Sequence, residues 1–189
     1  PIVVIPTCVD LGNFRYMPEN GLRKRLGLEG KRVLVYSGII NWLKLREMLD
    51  FFAIARAHLS SPYFLFLVTH GEEKLKMEIA KRKMSPHEYS IHHVPHREMF
   101  RWLSLGTAAV VFINRPLSRK GTCPTKFGEC LACGLPVVIN SGIGDVDEVV
   151  EKEGVGVVIR EFSQKEYIEG VNRLKKLSRE KDIRKRCRN

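Results

Sequence analysis

The stretch Gly121-Thr-Cys-Pro-Thr-Lys-Phe-Gly-Glu-Cys-Leu-Ala-Cys-Gly-Leu-Pro-Val-Val-Ile139 holds a loop, a helix start, a carboxylate one turn into that helix and the next strand. Pro124 suits the first turn of a helix, where a missing N–H loses no hydrogen bond. Thr125, Lys126 and Phe127 then present their N–H groups at that terminus, a favourable place for an anion. Lys126 adds a positive charge beside them, and Glu129 offers acceptor oxygens suited to two neighbouring hydroxyls. Phosphate and sugar hydroxyls together suggest a nucleotide. The competing reading is an ordinary loop-to-helix junction with an exposed Lys and Glu, and the flanking sequence has to decide.

Working outward, apolar strand-like runs alternate with segments of helical periodicity. Strands are expected at 33–37, 63–69, 90–94, 108–113, 136–140 and 156–159, and helices at 45–59, 72–83, 96–105, 124–133 and 146–152. Gly38, Gly71, Gly106, Gly134, Gly142 and Gly154 punctuate the joins. Near-continuous apolar strands, each followed by a helix, predict an α/β, Rossmann-like doubly wound parallel sheet of about six strands. Ligands in such a sheet sit beyond the carboxyl ends of the strands. The loops expected at that edge are Ser37 to Lys44, Thr69-His70-Gly71, the run from Asn114 to Thr122, and Ser141 to Asp145. Gly38 there allows close backbone approach, and Lys44 opens the next helix.

The chain has 189 residues, 44% hydrophobic and 28% charged, which fits one folded domain with a core of its own. No apolar run reaches the roughly 20 residues needed to span a bilayer, and Pro1 to Pro6 has no basic leader, so a cytoplasmic protein is expected. Five cysteines, Cys8, Cys123, Cys130, Cys133 and Cys187, are expected as free thiols. Cys130 and Cys133 share one helix face and read as packing residues rather than a redox pair. The formal charge of +11 is concentrated at 23–32 and 172–189. Both clusters read as solvated helix faces, with peripheral contact to an anionic membrane as the alternative; no motif for nucleic acid accompanies them. His92, His93 and His96 lack the spacing of a metal site, so no metal is expected. Asp145, Asp147 and Glu148 suit the start of a helix through its dipole, and Trp42 and Trp102 read as packing residues, with stacking at the ligand edge as the alternative for Trp42.

Several blocks in this order resemble the carboxyl-terminal, nucleotide-sugar-binding domain of family 4 glycosyltransferases, a retaining GT-B group. Pro124-Thr-Lys-Phe-Gly-Glu-Cys-Leu-Ala-Cys-Gly-Leu-Pro-Val-Val138 resembles the family's most diagnostic block, a Glu, seven residues, and a second Glu leading into "A-x-G-x-P-V-V". Val4 to Phe14, Leu34 to Gly38 and Phe66 to Gly71 resemble its interdomain crossing, first strand and second loop. The resemblance implies residues 1–30 as an interdomain lead-in with a first helix, and residues 31–189 as the donor-binding domain with C-terminal basic helices. It implies a UDP- or GDP-sugar as donor, no cofactor, metal-independent transfer to an acceptor hydroxyl, and a further Rossmann-like acceptor domain on the N-terminal side. Glu129 then bonds ribose, the amides of Thr125, Lys126 and Phe127 receive the diphosphate, and Lys44 pairs with it. Gly38, His70 and Gly71 line the site, a histidine of the 92–96 stretch lies near the base, and Lys44, Lys126 and Glu129 serve catalysis. Gly121 occupies the position of the motif's first glutamate, Ile39 that of a diphosphate-binding arginine, and Thr69 that of a loop glycine. Arg119, Lys120 or Lys126 are the residues left to supply the arginine's charge. A non-catalytic nucleotide-sugar module is the alternative that the Gly121 departure leaves open.

Overall fold

The computed structural model describes residues 8–114 and 124–189; Gly121, Arg119, Lys120, Cys123 and the residues before Cys8 lie outside that range. Six parallel strands, β1 (Arg32–Ile39), β2 (Pro62–His70), β3 (Tyr89–His92), β4 (Ala108–Val111), β5 (Val137–Asn140) and β6 (Gly156–Ile159), lie in the order β3-β2-β1-β4-β5-β6. Their apolar alternation builds two cores, because successive side chains point to opposite faces. Leu34, Tyr36, Phe64, Phe66, Val110, Val157 and Ile159 enter one core, and Val33, Val35, Leu65, Leu67, Ala109, Ile139 and Val158 the other.

Helices α2 (Leu45–His58), α3 (Glu72–Lys81) and α7 (Gln164–Leu177) cover the first face. The second is covered by α1 (Asn20–Arg25), α4 (Met99–Leu103), α5 (Thr125–Ala132) and α6 (Val146–Glu153). The short α8 (Ile183–Arg188) follows, seating Ile183 and Cys187 beside Val155 and Leu177. Gly170 lets α7 approach the sheet: a Cβ there would lie 2.5 Å from Ile159 Cδ1.

Three expected elements differ. The helix expected over 96–105 is a 3-10 turn (His96–Glu98) followed by the short α4, the break falling at the cap residue Glu98, which sits at φ −106°. The strand expected over 108–113 leaves the parallel ladder after Val111, because Asn140 takes over: its Oδ1 accepts the Ile113 N–H at 2.6 Å and its Nδ2 donates to the Ile113 carbonyl at 3.2 Å. Pro124 is the extended residue before α5 rather than a residue of its first turn.

The basic clusters are not simply solvated. Arg23 donates to the carbonyls of Leu105 and Lys31, and Arg184 to that of Gly106. Arg186 donates to Gly154, and Arg188 to Ala132, Phe14 and Leu11. Leu105 and Gly106 follow α4, Ala132 ends α5 and Gly154 follows α6, so these guanidinium groups neutralise the negative ends of three helices while their stems pack. Burial in turn pulls the Arg23 pKa below its ordinary value. Lys176, Arg179, Lys181 and Lys185 do face solvent. Among the described residues no helix is long and apolar enough to cross a membrane.

Candidate functional site

The strand order reverses between β1 and β4, and the crevice of a doubly wound sheet opens at their carboxyl ends. The β1–α2 connection runs across that reversal. Leu43 forms an antiparallel bridge with Ile113, the Lys44 N–H donates to the Phe112 carbonyl at 2.8 Å, and Asn114 Nδ2 donates to the Leu43 carbonyl at 3.4 Å. Gly38, at φ +142°, lets the chain leave β1, and the buried Tyr36 hydroxyl braces the exit by donating to the Ile39 carbonyl at 2.9 Å. Gly71, at φ +91°, opens α3, where a Cβ would sit 2.8 Å from Ile40 Cβ. Its absence lets the β2–α3 turn pack against the β1–α2 connection. His70, at the end of β2, is exposed.

On the other side of the reversal, α5 starts with exposed Thr125 and half-buried Lys126, and among the described residues no side chain caps it. Phe127 differs from expectation: its N–H donates to the Pro124 carbonyl at 3.0 Å and its ring is in the core, so its amide is already used. Glu129 is only 6% exposed. Lys126 Nζ donates to its Oε2 at 2.8 Å, and His96 Nε2 lies 3.6 Å from its Oε1. At 3.6 Å this contact is too long for a hydrogen bond. A carboxylate offers about four lone-pair positions, so Glu129, with one taken by Lys126, retains room for two hydroxyl donors. His96 is held from behind by Phe14, the two rings meeting edge to face at 5.3 Å between centroids.

Lys44 stands apart from this group. Its ammonium lies 3.4 Å from Glu47 Oε1 and over the Phe162 ring, 5.8 Å from the centroid. The structure thus brings Lys126 and Glu129 into one cluster, puts Gly38, Gly71 and Lys44 on the β1–α2 side, and leaves His70 at the rim. Sequence spacing missed His96 as a neighbour of Glu129 and Phe162 as a neighbour of Lys44. The signal for His96 was its place just beyond a strand's carboxyl end; Phe162 carried none.

The remaining candidates have structural uses. His92 packs on Trp102 with ring centroids 4.5 Å apart, and burial lowers its pKa; His93 bonds Glu72 at 2.6 Å. Among the described residues no three His, Cys, Asp or Glu side chains cluster as a metal would require. Cys130 and Cys133 sit in the core under α5, where burial pushes the Cys133 thiol up to about 12 and Cys130 higher still. Asp147 caps the turn before α6, accepting the Gly142 N–H.

The chain matches the family described as "Glycosyl transferases group 1" over residues 19–189. No curated protein matches the sequence. Among solved structures, Anabaena HepE in complex with UDP superposes with a TM-score of 0.73 at 16% identity, covering 95% of this chain and 50% of that one. Sucrose-phosphate synthase from Thermosynechococcus elongatus gives 0.65 at 17% identity, covering 95% and 46%. The C-terminal domain of the group 1 family protein LpcC from Francisella tularensis gives 0.66 at 10% identity, covering 96% and 93%. The chain therefore spans about half the length of the first two, and shares with all three the Rossmann-like architecture of GT-B glycosyltransferases.

Proposed function

This chain belongs to the group 1 glycosyl transferases, and from that membership and its carboxyl edge we propose that it is the donor-binding domain of an enzyme transferring sugar from a UDP- or GDP-sugar to an acceptor hydroxyl. The observation that carries the reading is the nearly buried Glu129 beside Lys126 at the opening of α5. Glu129 accepts the two ribose hydroxyls, while the α5 terminus at Thr125 and Lys126, together with Lys44, receives the diphosphate. The bond from the anomeric carbon to the diphosphate breaks as that carbon bonds the acceptor oxygen on the same face; the electron pair leaves with the diphosphate, whose departing oxygen takes the acceptor hydroxyl's proton. Lys44 and Lys126 stabilise the departing charge without a metal. That HepE is seen with UDP supports the choice of ligand.

The acceptor binds on a second domain placed before this one, and the chemistry proceeds with retention in the cleft between them, which excludes water on closure. The reading places the protein in the cytoplasm, with Lys176, Arg179, Lys181 and Lys185 suited to an anionic membrane. A second reading, a module that binds the donor without transferring it, is favoured by Gly121 standing where the family's first glutamate is expected. Calorimetric titration with UDP, GDP, ADP and CMP tests the donor site: one diphosphate is expected to bind selectively and to weaken in Glu129→Ala. Absence of binding to all four would end the donor reading. A radiolabelled transfer assay on the complete protein separates enzyme from module.

A further inference from the structure

Phe162 is one of four large hydrophobic side chains left exposed among the described residues, at 37%, and it sits at the carboxyl edge just beyond β6. It immediately precedes Ser163, whose side chain accepts the Glu166 N–H and caps α7. An apolar residue in that position ordinarily clamps the helix start by packing against the residue four places into the helix, here Tyr167. The Phe162 ring meets Phe112, with centroids 5.6 Å apart, and the Lys44 ammonium lies over it. Phe112 is fully buried, held by Phe51 and Tyr167, and its carbonyl accepts the Lys44 N–H. One anchored residue therefore fixes both the main chain of Lys44 and the aromatic face under its ammonium.

We propose that Phe162 is a positioning residue for diphosphate binding, its ring face and Glu47 together holding the Lys44 ammonium on the β1–α2 side of the crevice. The proposal rests on the donor-site reading given above. Packing alone needs only apolar bulk at 162, which leucine supplies; holding a cation needs the negative face of a ring, which leucine lacks and tyrosine keeps.

The test titrates the full chain and its Phe162→Leu, Phe162→Tyr and Lys44→Ala variants with UDP, GDP and the matching nucleosides, alongside thermal melting. Phe162→Leu is expected to weaken the preferred diphosphate about two- to fivefold, leave its nucleoside unchanged, and be rescued by Phe162→Tyr. In a Lys44→Ala background the leucine substitution should have no further effect. Equal losses for diphosphate and nucleoside, wild-type binding by Phe162→Leu, or failure of Phe162→Tyr to rescue would overturn the proposal. If the unaltered chain binds no diphosphate, the donor-site reading itself falls, and the proposal with it.

Discussion

Replacing Glu129 by Gln should move two affinities in opposite directions. The side chain keeps its shape but loses its charge beside Lys126 Nζ, 2.8 Å from Oε2. A ribose presenting two hydroxyls exchanges two bonds to a charged acceptor, about 1.5 to 3 kcal/mol each, for one donated to a neutral oxygen and one accepted from the amide NH2, about 0.5 to 1.5 kcal/mol each. Because such contributions do not add fully, the net loss is about 2 kcal/mol, roughly thirtyfold, for the nucleoside of the preferred base. Lys126 meanwhile loses its partner. Its side chain is 31% exposed, so the pair resembles a partly screened surface ion pair and its release is worth about 0.2 to 1 kcal/mol, up to fivefold tighter binding of inorganic pyrophosphate. Ligand-observed NMR titrations of nucleoside and pyrophosphate, with a melting curve to confirm folding, read both. Pyrophosphate weakening alongside the nucleoside, or neither changing, would refute the assignment of Glu129 to ribose and Lys126 to phosphate.

Other outcomes follow from the fold. Glu78 is buried under Lys81 and Arg82, which bond it and hold its pKa at about 2 against an ordinary 4.5; the stability this contributes is complete above pH 4.5 and is lost as pH falls toward 2. Urea midpoints should therefore drop over that window, and Glu78→Gln should flatten the drop; an unchanged profile would contradict it. Gly71→Ala should cost about 1 to 3 kcal/mol in urea unfolding, from its left-handed φ and the crowding by Ile40, and a neutral result would mean the turn is not as tight as drawn. In a Cys8→Ser, Cys123→Ser variant, Cys130, Cys133 and Cys187 should resist a thiol reagent at pH 8 until the protein unfolds, since burial raises all three thiols; fast labelling of the native form would count against that core.

The parallel sheet was legible because continuous apolar runs such as Val33 to Tyr36 and Tyr63 to Val68 leave few other folds that bury both faces. Lys126 and Glu129 were legible as a pair because three positions on a helix fix their separation. His96 was not, since its approach to Glu129 depends on how the short 3-10 turn after β3 lies against α5, which no local pattern encodes. The arginines of α8 misled for a related reason: charge shows in the sequence, but whether a guanidinium meets water or a carbonyl at a helix end depends on tertiary contact. Boundaries shifted where a side chain, Asn140 at Ile113, replaced the ladder.

Arg188 also sets an order of events during synthesis. Its guanidinium bonds the carbonyl of Phe14, 174 positions earlier, and that of Leu11. At about 5 to 20 residues per second, a ribosome delivers Arg188 roughly 9 to 35 s after Phe14. For that interval the strand-rich centre of the chain can assemble while the segment around Leu11 and Phe14, with His96 leaning on it, lacks this clasp. Leu11 and Phe14 gain this bond to the end of the chain only when translation of α8 is finished.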